Sequence, residues 1–279
     1  METIKIGILG LGTVGSGVIR ILRDHAEKIS NITGRRLEVK TVVVHNLKKK
    51  RSVDLTGINL TDNADDVLCD DEIQMVVEVM GTVNIAKEYI ERALKAGKHV
   101  ITANKDLIAT HGPELISLAK EHGCDLCYEA SVAGGIPILR TIVNSFAADR
   151  IIEVRGIVNG TTNYIMTQMN KNGASYEDAL ESAQELGFAE ADPTNDVDGI
   201  DAAYKMIILT QFAFGKDVTM DQVKVKGIRG IQKADIAEAK RLGYVIKLLG
   251  IAKLVNGHID VSVGPVLVPQ TQPLAAIQN

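Results

Sequence analysis

The sequence predicts an α/β fold: a doubly wound parallel sheet over the first half of the chain, followed by an α+β unit. Two observations predict it. Short β-branched apolar runs alternate with segments of helical period through the first half, and such alternation builds a parallel sheet with right-handed crossovers and helices on both faces. Around Gly134–Pro137 that rhythm changes to clustered helices and then two long strand-like runs. At 279 residues the chain is long enough for two domains of roughly 100–200 residues each. The expected division is 1–135 and 136–279.

The elements follow in order. Residues 4–9 are too short an apolar run for a helix and read as a buried strand. From Thr13 to about Ile29, Val14, Val18, Ile21 and Leu22 recur at helical spacing. Strands are expected at 37–44, 75–79, 99–101 and 126–129, with helices at 83–96 and 113–122. Past the change of rhythm the pattern predicts a helix to about Phe146 and a strand at 152–158. Helices follow near 162–171, 176–186 and 199–214. The runs 245–254 and 258–263 flank Asn256-Gly257, which favours a tight hairpin turn.

Composition narrows the function. Hydrophobic residues at 46% rule out a disordered chain. A formal charge of -4 speaks against a nucleic-acid binder, and aromatics at only 4% speak against base stacking. The N-terminal METIKIGILGLG has no basic region followed by a long apolar stretch, so it does not read as a signal peptide. No apolar run approaches the ~20 residues of a membrane span. Three cysteines make no paired framework, which suits a reducing compartment, and a cytoplasmic location is expected.

Gly10-Leu11-Gly12-Thr13-Val14-Gly15 is a G-x-G-x-x-G string that closes a predicted strand and opens a predicted helix. In that context it is a dinucleotide fingerprint, the mark of a Rossmann-type domain. The first glycine permits the tight turn, the second admits the pyrophosphate, and the third lets helix and sheet pack closely. The helix N-terminus then offers free N–H groups to phosphate. NAD sites usually carry an acidic residue at the end of the second strand. Here that strand ends Val43-Val44-His45-Asn46, followed by Lys48-Lys49-Lys50-Arg51. The basic cluster reads either as a solvated loop or as a partner for the 2′-phosphate of NADP.

In the second half, Asp201 and Lys205 stand i and i+4 on a helix that is apolar nearly all round. A buried ion pair is a poor source of stability, so the pair favours an acid/base role over a purely structural one. The loop from Gly187 to Asp196 is dense in carboxylates, including Glu190 and Asp192. Helix capping accounts for Asp196 or Asp198. The remaining carboxylates suit a substrate carrying an amine. Asn159-Gly160-Thr161-Thr162-Asn163 reads as a capping turn or as part of a ligand site. Lys105 follows a strand at the carboxyl end of the sheet, where doubly wound folds bind ligands. Glu129 precedes an irregular turn rich in glycine, where a carboxylate and carbonyl oxygens can hold a cation. Cys124 and Cys127 lack a second ligand pair at zinc spacing and read as structural, with Cys127 in a buried strand.

Several ordered motifs run the length of the chain: the glycine string, VITANKDL around Lys105, EASVAGGIP from Glu129, NGTTNYI from Asn159, LGFAEADP from Leu186 and DVDGIDAAYK ending at Lys205. Together they resemble homoserine dehydrogenase. The resemblance implies NAD(P)H-dependent interconversion of aspartate 4-semialdehyde and homoserine, on the way to threonine and methionine. It implies Lys205 as proton donor, Asp201 as substrate ligand and support for that lysine, and Glu190 on the amino acid end of the substrate. Lys105 would stand at the junction of nicotinamide and substrate. Gly10, Gly12, Thr13, Val14, Gly15 and Gly187 would meet the cofactor, NADP or NAD. Glu129 and the carbonyls of Val132, Gly134 and Ile136 would hold a monovalent cation, sodium by analogy. The first domain would then bind NAD(P), and the second would bind substrate and form a homodimer.

Two departures from the family pattern stand out. His45 occupies a position where the family often has arginine. The resemblance also implies further chain after Asn279, returning to the nucleotide domain, and in many members a regulatory domain. Two other readings compete. An aldehyde-oxidising dehydrogenase would need a cysteine nucleophile, and none stands in the turn at 160–163. A non-catalytic nucleotide sensor would not need the Asp201–Lys205 pair.

Overall fold

A computed structural model of the chain describes residues 1–278. They divide into two compact units, 1–135 and 136–278. The first contains β1 (Thr3–Leu9), α1 (Thr13–Asp24), α2 (Ala26–Thr33), β2 (Arg36–Val43), β3 (Asn59–Thr61) and α3 (Asp65–Leu68). It continues with β4 (Ile73–Glu78), α4 (Asn84–Lys95), β5 (His99–Thr102), α5 (Lys105–Glu121) and β6 (Leu126–Cys127). The six strands form one parallel sheet in the order β3-β2-β1-β4-β5-β6, as expected of a doubly wound Rossmann-type sheet.

Strand alternation sends side chains to both faces. Ile6, Ile8 and Val77 join Ile19 of α1 in one core, while Leu9 and Val76 join Ile90, Leu94, Leu107 and Leu115 of α4 and α5 in the other. Both faces are therefore covered, as a parallel sheet requires.

Three expectations for this unit need correction. The helix expected from Thr13 to Ile29 breaks at His25. Its buried stripe stops within α1, and α2 buries no residue, so packing does not hold the two pieces on one axis. The helix expected from Pro113 begins eight residues earlier, at Lys105. Leu107, Ile108, Leu115 and Ala119 bury one continuous face across the proline, and that burial outweighs the one backbone bond Pro113 cannot make. The strand expected to reach Glu129 ends at Cys127, and Cys127 is exposed.

The second unit holds α6 (Ile138–Ser145), β7 (Glu153–Gly156), α7 (Gly160–Asn172), α8 (Tyr176–Glu185), α9 (Thr194–Val197) and α10 (Ile200–Phe214). Then come β8 (Lys224–Val225), α11 (Lys233–Arg241), β9 (Tyr244–Val255), β10 (His258–Pro269) and α12 (Pro273–Ala276). Its sheet is mixed, in the order β7-β9-β10-β8. The β9–β10 hairpin turns on Asn256 and Gly257, with φ of 50° and 82°, the left-handed pair that matches strand twist. A Cβ placed on Gly250 of β9 would lie 2.5 Å from Met206 of α10, so the missing side chain lets that helix lie directly on the sheet.

Candidate active site

In the first unit the glycine string sits at the carboxyl end of β1, the central strand. Each glycine is required for a different physical reason. Gly10 has φ +104°, and a Cβ there would lie 2.7 Å from the Val79 carbonyl oxygen. A Cβ on Gly15 would lie 2.3 Å from the Gly10 carbonyl oxygen. Both are closed to side chains by the protein itself. A Cβ on Gly12 would meet nothing within 4 Å; the backbone is bare toward open space, a surface that a pyrophosphate can approach.

That turn borders a cavity of about 620 Å³, lined also by His45, Asn46, Lys49, Arg51, Met80 and Thr82. The volume is that of a small-molecule site. The Arg51 guanidinium is held by its own loop, donating to the carbonyls of Asn46 at 2.6 Å and Lys49 at 2.7 Å. Its Nε is buried with no hydrogen-bond partner. The cradle and the basic lining both fit a dinucleotide.

Beneath the cavity lies a group that the sequence reading missed. Glu78, the last residue of β4, is 0% exposed. It is register partner to Thr102, the last residue of β5. Glu78 Oε2 accepts from Thr102 Oγ1 at 2.6 Å, and Oε1 accepts from the Met80 amide at 2.8 Å. Burial pushes this carboxyl above the usual range, against the pull of those hydrogen bonds. The sequence holds only a weak signal for it, a carboxylate closing the apolar run Met75-Val76-Val77. Lys105 begins α5 just beyond, with Nζ 3.6 Å from Asp106. Asn104 caps that helix by accepting from the Leu107 amide at 3.2 Å.

In the second unit, eight residues of α10 are buried, Asp201 among them. The i, i+4 spacing brings Lys205 Nζ to 2.7 Å from Asp201 Oδ2. Their side chains are 19% and 10% exposed. Lys205 also donates to the Val158 carbonyl at 2.8 Å. The same Asp201 oxygen accepts from Asn159 Nδ2 at 2.8 Å, and Asn159 also donates to Asp196 at 2.6 Å. Asn159 is at once the N-cap of α7, accepting from Thr162. The capping reading of the turn after β7 holds, and the same residue reaches Asp196 and Asp201.

The acidic loop divides. Asp192 accepts from the Thr194 amide at 3.1 Å and hydroxyl and backbone bonds to Thr194 hold its pKa down. Asp196 belongs to Asn159. Asp198 pairs with Arg229 at 2.6 Å. Glu190 is exposed, and among the described residues its carboxylate has no partner. Gly187, with φ +77°, follows α8. Thr161 of α7 donates to the neighbouring Phe188 carbonyl at 2.7 Å, which ties this loop to α7.

Glu129 opens a short 3-10 turn, Glu129–Ser131. Val132 is buried, and Ala133 and Gly135 have φ of 50° and 83°. No cluster of three or more His, Cys, Asp or Glu occurs among the described residues. A cation held here would draw on one carboxylate and backbone carbonyls, oxygen donors of the kind a hard cation takes.

A parallel sheet in this order, with a glycine turn closing its central strand, defines a dinucleotide-binding oxidoreductase fold. Residues 10–129 match the family model described as homoserine dehydrogenase, NAD binding domain, and residues 137–279 match that described as homoserine dehydrogenase. The chain belongs to the homoserine dehydrogenase family. It is 52% identical to homoserine dehydrogenase of Bacillus subtilis (strain 168), over 100% of this chain and 64% of that one. A homoserine dehydrogenase crystal structure from Thiobacillus denitrificans superposes with a TM-score of 0.96, at 42% identity, over 100% of this chain and 64% of that one. A hyperthermophilic archaeal homoserine dehydrogenase solved in complex with NADPH gives 0.79 at 26% identity, over 100% and 86%. The chain thus spans about 64% of the length of several curated relatives it matches. No helix among the described residues is long and apolar enough to cross a membrane.

Proposed function

We propose that this chain carries the catalytic core of an NAD(P)-dependent homoserine dehydrogenase, which reduces aspartate 4-semialdehyde reversibly to homoserine. The observation that carries the reading is the Lys205–Asp201–Asn159 arrangement on and beside a buried helix. A nicotinamide cofactor supplies the hydride when bound. The protein then has to bind, orient and move one proton. Lys205 Nζ gives that proton to the carbonyl oxygen as it gains negative charge. Asp201 keeps the ammonium aimed, and Asn159 keeps Asp201 aimed. Glu190 takes the substrate's ammonium group, which the free state of its carboxylate supports. Lys105 assists from the first turn of α5.

Gly10, Gly12, Thr13, Val14 and Gly15 hold the pyrophosphate, with Gly187 contributing a further cofactor contact. Lys49 and Arg51 favour NADP over NAD, because both line the cavity beside the end of β2. Glu129 and the carbonyls of Val132, Gly134 and Ile136 bind a monovalent cation, sodium by analogy, with a structural role. The substrate unit forms a homodimer, and the enzyme works in the cytoplasm.

An absorbance assay tests the core of this reading. The chain should oxidise NADPH with aspartate 4-semialdehyde, and reduce the oxidised cofactor with homoserine at high pH. Added phosphate should change nothing, because no acyl-enzyme forms. Lys205→Ala should fold and lose about 10²–10⁴ in kcat, the usual worth of a general acid. A folded Lys205→Ala variant with parental turnover sinks the assignment.

A further inference from the structure

We propose that Glu78 is a positioning residue that locks the floor of the dinucleotide cavity to the first turn of α5. The proposal rests on the reading of the first unit as a dinucleotide site. The carboxylate accepts from two segments that are far apart in sequence. Through the Met80 amide it holds the loop after β4, whose Val79, Met80 and Thr82 line the cavity. Through Thr102 it holds the end of β5. The network continues: the Asn104 amide donates to Thr102 Oγ1 at 3.0 Å, and Asn104 Nδ2 returns to the Thr82 carbonyl at 2.7 Å. Asn104 Oδ1 then caps α5 at Leu107. The result is a closed circuit from cavity floor to carboxylate, to hydroxyl, to helix cap, and back to the floor. Lys105 is the residue next to the cap.

Chemistry explains why the group is a carboxylate. Among the described residues it has no lysine or arginine partner, and it is fully buried. A buried charge without a counter-ion is expensive, so the carboxylate has to supply something that an amide cannot. What an ionised carboxylate offers is acceptance on both oxygens with no proton of its own to place. Thr102 already accepts from Asn104, so its own hydroxyl proton must go to an acceptor. Glutamine in this position would offer one oxygen to two donors and set its NH2 against the other, so the Thr102 hydroxyl and the Met80 amide could not both keep an acceptor.

Two amides report the circuit directly, because Met80 donates into one end and Leu107 into the other. Hydrogen exchange on the 279-residue chain should show both accelerated together in Glu78→Gln, each by about tenfold, the worth of one buried hydrogen bond. Thr102→Val should do the same. Thr102→Ser, which keeps the hydroxyl, should restore the parental pattern. The NADPH dissociation constant should rise about tenfold in the first two variants and stay parental in the third. Should Glu78→Gln fail to fold, the Thr102 pair carries the same comparison. Acceleration at Met80 with Leu107 unchanged would overturn the proposal, as would a parental NADPH affinity in folded Thr102→Val. A parental chain that binds no NADPH overturns the cofactor reading instead, and the exchange data still decide the circuit.

Discussion

At the scale of single residues, Asn159 and Glu78 each do two jobs with one side chain. Asn159 caps α7 with its oxygen and joins Asp196 and Asp201 with its nitrogen. Asn159→Ala should therefore lose a cap, worth ~1 kcal/mol, which thermal melting would read. It should also lower kcat more than that cost explains, because Asp201 loses a fixed partner beside Lys205. Equal losses in Asn159→Ala and in a cap-only variant elsewhere would refute the second role. Glu78 makes a pH prediction. Its carboxyl is raised above 4.5 in the folded chain. Between 4.5 and the folded value, the native state holds a proton that the unfolded chain has released. Stability from this group is thus present at low pH and lost as pH rises through that window. The melting temperature of the parent should fall relative to Glu78→Gln across it, and parallel curves would disprove this. The Lys205–Asp201 pair was legible in the sequence because i, i+4 spacing is a local rule. Glu78 was not, because its partners arrive from β5 and from a loop.

At the scale of elements, the glycine turn separates fold from binding. Gly12→Val points a side chain into open space, so the melting temperature should hold while NADPH affinity falls by more than about tenfold. Gly15→Ala drives a methyl against the Gly10 carbonyl, so it should lower both. Equal behaviour of the two variants would contradict the division of roles argued for them. Long periodic elements were readable in advance: β1, α4, α10 and β9 all fall near their expected bounds, while α1 stops early at Asp24 and β10 runs on to Pro269. Short or polar ones were not. β3 has three residues and β8 two, α11 is mostly charged, and none carries a period that could separate it from loop. Pro113 misled for a physical reason: a proline looks like a helix start, and only the buried face shared by Leu107 and Leu115 shows that the helix passes through it.

At the scale of the whole molecule, the division at Gly135–Ile136 also divides the roles proposed for the chain's residues. Every group assigned to the dinucleotide, except Gly187, lies before it, and every group assigned to the proton lies after it, except Lys105. Residues 134–136 are exposed, with Ile136 at 64%, so limited proteolysis should cut near them first. The N-terminal fragment should retain NADPH binding by fluorescence, since its sheet and both cores are its own. A first cut inside α5 or β9 would argue against this division.

Gly250 carries a consequence that reaches the chemistry without touching it. Met206, pressed against that bare backbone, is the next residue after Lys205. A methyl group on β9 would press on the Cγ and Sδ of Met206, which would have to give way, and that residue adjoins Lys205 on α10. The packing beneath the neighbour of the proposed proton donor is therefore set by one absent carbon in β9.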